Sequence, residues 1–230
     1  MSNSQGATIA RRSLSLAKTY PVLAVLLTLV GFVVARRAIA STGIGSTQGA
    51  SAGIPFLAVP LQALGAMLFA TPVVLLFVYD KNNGVLEYLL SLGMSQQDIY
   101  RQYLKAALIL AGGVGALDIV LDVASGVASG TGSTLFEIPV LAVILGLSVV
   151  SLVTVAMMSF GSLQKQRVGS NQPLGMSIGA AMVAPTYVIP LVVPSLVLWV
   201  DLGWAAVILG VSLAMFVASS RLISREKLLP

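Results

Sequence analysis

The chain contains no cysteine and no histidine. Their absence excludes disulfides, thiolate and imidazole metal ligands, cysteine nucleophiles and every catalytic relay built on histidine. Charge is scarce as well: only 9% of the 230 residues are Asp, Glu, Lys or Arg, against roughly 25% in a soluble domain. Thirteen basic and eight acidic side chains cannot coat a soluble globule of this size, so lipid must cover the remainder. No phosphate loop of the form G-x-x-x-x-G-K-[ST] occurs, which leaves the chain without a recognisable ATP site of its own. No G-x-S-x-G elbow occurs either, and an enzyme reading is correspondingly weak.

What the chain does have is apolar length. Hydrophobic residues make up 57% of it, and its mean hydropathy is +0.96. The net charge of +5 and isoelectric point near 9.7 fit the Lys/Arg excess of cytoplasmic loops better than a nucleic-acid surface. Arg11, Arg12 and Lys18 precede the first apolar stretch, where no clean small-x-small cleavage site follows, so that stretch reads as an uncleaved first helix. Residues 9–20 place those charges among Leu14, Leu16, Ala17 and Tyr20. They read either as a basic amphipathic helix on the membrane surface or as a solvated, membrane-proximal tail.

Six spans are expected. The first covers residues 21–35 and extends toward 40, since Lys18 and Arg36 are separated by only about 17 residues, roughly 26 Å of helix. A Gly/Ser-rich external loop at 41–53 leads to the second, 54–79, with kinks expected at Pro60 and Pro72. The third is expected at 103–124, a Gly/Ser turn at 125–134, and the fourth at 136–162. The fifth stretch, 173–200, carries Pro185, Pro190 and Pro194, so a helix to Val183 followed by a broken or re-entrant segment is expected there. Asp201 and Gly203 read as a turn before the last span, 204–222. Six spans put both termini and the loops 80–102 and 163–172 on one face. That face then holds eleven of the thirteen basic residues, all but Arg36 and Arg37, and by the positive-inside rule it is cytoplasmic. The expected architecture is an all-α, polytopic integral membrane protein, a single transmembrane domain over residues 1–230.

Between the second and third spans lies a polar island, residues 80–98. Leu86, Leu89, Leu90 and Met94 fall at i, i+3, i+4 and i+8, one apolar stripe of a short helix, with Glu87, Ser91 and Ser95 on another face. Asn83 is placed to cap its start and Gly93 to close it in the left-handed conformation. Ser95-x-x-Asp98 resembles a capping box, with Asp where Glu or Gln is usual. Two capped helices exceed what a connection needs, since helix-to-helix loops usually take about 2–8 residues. A plain cytoplasmic hairpin is the simpler alternative.

The run from Tyr79 through Gly84, Leu86, Glu87, Leu89, Leu90, Gly93, Met94 and Ser95, followed by Asp98-Ile99-Tyr100 and Lys105, resembles the first cytoplasmic loop of ABC-2 type transporter permeases. Gly93-Met94 stands where that family often has a proline, and Lys81-Asn82-Asn83 is less acidic than its usual run. The resemblance implies a permease of an exporter class, not itself an enzyme, with a cytoplasmic coupling helix between the second and third spans. It implies ATP-binding cassette subunits as partners, a second permease copy or related chain, and a cell-membrane location with cytoplasmic termini. ATP and Mg would sit on the partner, with no cofactor in this chain. Leu86, Glu87, Leu90 and Met94 are the expected contacts, and Gly93 the expected hinge.

A second constellation gathers Arg36, Arg37, Asp118, Asp122 and Glu137 near the outer boundary. Asp118 and Asp122 are i and i+4 and so share a helix face. Ionisable groups at this depth pair with one another, line a polar path or snorkel to headgroups, and all three readings stand. If they line a path, a gradient-driven secondary transporter or channel working through Asp118 and Asp122 becomes the alternative function, and a structural membrane anchor remains a further one. Gly126-x-x-x-Gly130 has helix-contact spacing but lies where the third span is expected to end, and so reads as part of a turn.

Overall fold

The computed structural model describes residues 4–16, 19–42, 58–129, 137–163, 172–192 and 197–222. Among these residues there are eight helices and no strand: α1 (Ser4–Leu16), α2 (Thr19–Thr42), α3 (Ala58–Asn82), α4 (Val85–Ser91), α5 (Gln96–Ser129), α6 (Glu137–Leu163), α7 (Gln172–Val192) and α8 (Val197–Leu222). Among the described residues four stretches are long and apolar enough to cross a bilayer: Val59–Asn82, Gln96–Leu121, Val140–Phe160 and Trp199–Ser219. The chain is thus a helical protein of multi-pass membrane type. The α1–α2 pair, bent by 98°, adds a fifth crossing when taken as one span. α7 stands at the place of the expected fifth span; its 21 residues make about 31 Å of helix, of which Ser177–Thr186 is the apolar stretch with described side chains.

The bundle is organised around α3, which packs on α1, α2, α4, α5, α6 and α7. Small residues allow this. A side chain on Gly65 would meet Thr28 Oγ1 at 2.7 Å and the Ala24 carbonyl at 3.2 Å, so α2 and α3 approach backbone to backbone. Gly146 on α6 faces Ala63 and Ala66 on α3 in the same way. Such close approach is how helices associate in lipid, where no hydrophobic difference draws them together. In their apolar windows α6 and α3 are 72% and 61% buried and α8 is 22% buried, which makes α3 and α6 the centre and α8 a peripheral helix. α8 is held to α6 by two serine pairs, Ser151 with Ser212 and Ser159 with Ser219. Its Val207, Leu209, Val211 and Leu213 remain exposed, as lipid-facing residues should.

The proline-rich region departs from expectation. α7 stays helical through Pro185 and Pro190 to Val192, and α8 begins at Val197 rather than Trp204, with Asp201 and Gly203 inside the helix. Each proline costs one backbone hydrogen bond and crowds the preceding turn. Around that weakened turn the Met182 carbonyl accepts from the Trp204 indole of α8 (2.7 Å) and the Val183 carbonyl from the Thr186 hydroxyl (2.6 Å). Neither is the carbonyl that Pro185 itself leaves without a donor, that of Ala181, but both lie in the turn its ring crowds, and the side-chain donors steady that turn. Residues 193–196, with Pro194, lie outside the described residues.

Other boundaries move as well. α3 runs unbroken past Pro72, and Pro60 falls in its first turn, where no intrahelical donor is lost. α3 also carries the expected loop residues Asp80 and Lys81, both buried. α5 continues to Ser129, so Gly126 is helical rather than in a turn. α1 is a helix against α3 and α5 rather than a solvated tail. It buries Ala10 and Ser13 and exposes Arg11 and Arg12.

Candidate functional site

The junction of α1, α3, α4 and α5 is built first by chain termination. At the end of α3 the Asn83 side-chain amide donates to the Tyr79 carbonyl at 2.8 Å and its backbone N–H does the same at 3.0 Å. Asn83 therefore finishes α3 and does not cap α4. Gly84 takes that place, as the N-cap of α4 at φ 72° with no side-chain cap bond, a left-handed conformation that favours glycine. Its carbonyl accepts from the Tyr88 N–H at 3.0 Å, opening α4.

The other end of α4 closes as expected. Gly93 sits at φ 83°, its N–H donates to the Leu90 carbonyl at 3.0 Å, and the Met94 N–H donates to the Leu89 carbonyl at 3.2 Å. This pair of bonds is a Schellman motif. α5 then starts on Ser95, whose hydroxyl accepts from the Asp98 N–H at 3.1 Å and donates to the Asp98 carboxylate at 2.6 Å. The box differs from the usual one. The aspartate takes the serine hydroxyl instead of reaching the serine backbone N–H.

The apolar stripe of this seven-residue helix faces the bundle. Leu86 is wholly buried, and Leu89, Leu90 and Met94 pack partly buried against the core. Leu86 therefore anchors the helix and cannot itself be a surface contact, while Leu90 and Met94 offer only their edges. Outward point Glu87, Tyr88, Ser91 and Leu92, with Tyr88 and Leu92 each 62% exposed. Tyr88 and Leu92 were not singled out in the sequence. The signal was present, since they are i and i+4 on the face opposite Leu86 and Leu90.

A polar network ties α1 to this junction. Asp80, buried in the last turn of α3, accepts from the Tyr103 hydroxyl of α5 at 2.5 Å. Arg12 of α1 meets the same carboxylate, Nη2 to Oδ1 at 2.9 Å and Nη1 to Oδ2 at 3.4 Å. The shorter approach is an ion pair off the hydrogen-bond direction. Phe77 sets Tyr103 and Tyr100 edge-on, with ring centroids at 5.2 and 5.7 Å. Beneath α4 these elements leave a cleft of about 270 Å3.

The outer constellation is described only in part. Asp118 is buried in α5 and is engaged in an interaction. The side chains of Arg36, Arg37, Asp122 and Glu137 lie outside the described residues, although α2 carries the two arginines and α6 begins at Glu137. Among the described residues no group of acidic side chains could hold a metal ion. Comparison with protein-family models, curated proteins and solved structures finds no match to this chain.

Proposed function

We propose that this chain is the membrane-spanning permease subunit of an ATP-driven transporter of the ABC-2 type, working as an exporter in the cell membrane. In this reading α2, α3, α5, α6, α7 and α8 are its six spans, both termini are cytoplasmic, and it pairs with a second copy or a related permease. The observation that carries the proposal is α4: a helix fixed at both ends by left-handed glycines, anchored by a buried Leu86, with Glu87, Tyr88, Ser91 and Leu92 turned outward. The resemblance of residues 79–105 to the ABC-2 loop, in a sequence without a G-x-x-x-x-G-K-[ST] phosphate loop, points to the partner. A separate ATP-binding subunit docks on that outward face. When nucleotide closes the ATPases, α4 moves with them. Gly84 couples it directly to the end of α3 and Ser95 to the start of α5, so displacement passes into two spans.

The test is co-expression with the ATPase subunit and measurement of complex formation and ATP hydrolysis in liposomes. Glu87→Lys with Leu92→Asp, both at exposed positions, is expected to abolish co-purification and lower permease-stimulated ATP hydrolysis at least about tenfold, with the melting temperature unchanged. A doubly substituted chain that still binds and stimulates the ATPase ends this reading. The burial of Asp118 within an apolar span favours gradient-driven transport as the second reading. That alternative expects nucleotide-independent transport that collapses in Asp118→Asn.

A further inference from the structure

The cleft beneath α4 plays no part in docking, which uses the opposite face of the helix. Leu89, Met94, Ile99 and Ile9 give it apolar walls, and Arg12, Asp80 and Tyr103 close its polar end. Arg12 and Asp80 neutralise each other at 2.9 Å, so the site offers no net charge to an ionic guest. Gln102 lines the same cleft, is only 8% exposed, and its Oε1 has no hydrogen-bond partner among the described residues. A buried acceptor without a donor is held at a desolvation cost that an incoming N–H or O–H removes. Size narrows the guest further. A dry cavity of about 150 Å3 takes a benzene, so 270 Å3 takes a guest on the order of ten heavy atoms.

We propose that this cleft binds a small neutral amphiphile: an apolar chain of about eight carbons along Leu89, Met94 and Ile99, with a hydroxyl or amide N–H donating to Gln102 Oε1 once that amide, sealed from the empty cleft, turns toward the guest. Such binding is independent of whether α4 meets an ATPase, and its failure leaves the docking face untouched.

The experiment photolabels the full chain in lipid nanodiscs with an octanol carrying a diazirine on its chain, followed by peptide mapping. Saturable labelling is expected at residues 85–103 and on α1, and 1-octanol should block it about tenfold better than methyl octyl ether, which cannot donate a hydrogen bond. Gln102→Leu is expected to keep the labelling and erase that preference. Met94→Trp, or Ile9→Trp from the α1 side if the first misfolds, fills the cleft and is expected to remove the labelling while helix content stays constant. Faster labelling from preloaded lipid than from buffer marks a membrane-borne guest, the reverse a soluble one, and saturation by either route supports the site. Labelling spread over the lipid face of α8 with no focus at the cleft overturns the proposal. So does cleft labelling indifferent to both tryptophans, or an alcohol preference that survives Gln102→Leu.

Discussion

Arg12 and Asp80 stand 68 residues apart in the chain, yet they share an ion pair of 2.9 Å at the junction of α1 and α3. Asp80 is buried and Arg12 is about half exposed, so the two ends of the pair are not equivalent. Removing Arg12 leaves a desolvated carboxylate whose side-chain hydrogen bond among the described residues is that from the Tyr103 hydroxyl. Breaking a fully buried pair costs about 3–5 kcal/mol and an exposed one up to about 1 kcal/mol, which places Arg12→Ala near 2 kcal/mol. Asp80→Asn added to Arg12→Ala removes the stranded charge and is expected to recover more than half of that loss. Thermal melts of the four chains of this cycle in detergent decide the matter. A double variant no more stable than Arg12→Ala alone rules out a stranded carboxylate as the source of the loss. No local pattern foretold this contact. The amphipathic pattern admits Arg12 on a surface helix, with a solvated tail as the alternative, but its partner depends on how α1 lies across α3 and α5.

At the level of the element, α4 is defined by its ends more than by its length. Gly93 has open space where a side chain would begin, so substituting it tests backbone conformation alone. Gly93→Ala is expected to cost about 1–2 kcal/mol, the penalty of the left-handed region for an L-residue, and Gly93→Asn distinctly less, since asparagine tolerates that region. Equal melting temperatures for the wild type and Gly93→Ala disprove a conformational lock at this position. These caps also show what was legible in the sequence. Gly93, Ser95 and Asp98 were readable because their partners lie within five residues, and the start of α5 followed from them. Asn83 was misassigned because an amide beside a helix end can serve the carbonyls behind it as readily as the N–H groups ahead, and only the left-handed Gly84 settled the choice. α7 and α8 defeated the proline count for a related reason. The groups that donate into the turn crowded by Pro185, Thr186 and Trp204, include one from another helix, which no reading of α7 alone can supply. The inward face of Leu86 was foreseeable as a stripe, but whether a stripe faces its own bundle or a partner is decided only by packing.

At the scale of the molecule, the bundle has two distinguishable ends. α1 and α4 wall the same cleft, so Ser15 and Glu87, both exposed, belong to one end of the bundle. The apolar window Gln96–Leu121 of α5 is 26 residues long, about 39 Å of helix, enough to cross about 30 Å of hydrocarbon. Val123, 49% exposed just beyond it, therefore belongs to the other end. Because the chain has no cysteine, Ser15→Cys, Glu87→Cys and Val123→Cys each carry a single thiol without further engineering. With a membrane-impermeant maleimide on intact cells, Val123→Cys is expected to react at once and the other two only after permeabilisation, since the basic residues Arg11, Arg12, Arg101 and Lys105 flank the α1–α4 end. The outcomes separate two claims. Ser15→Cys and Glu87→Cys reacting from opposite sides contradict the packing of α1 beside α4. Both reacting from outside, with Val123→Cys protected, keep that packing and reverse the orientation, and a docking face outside the cell could meet no ATP-driven partner.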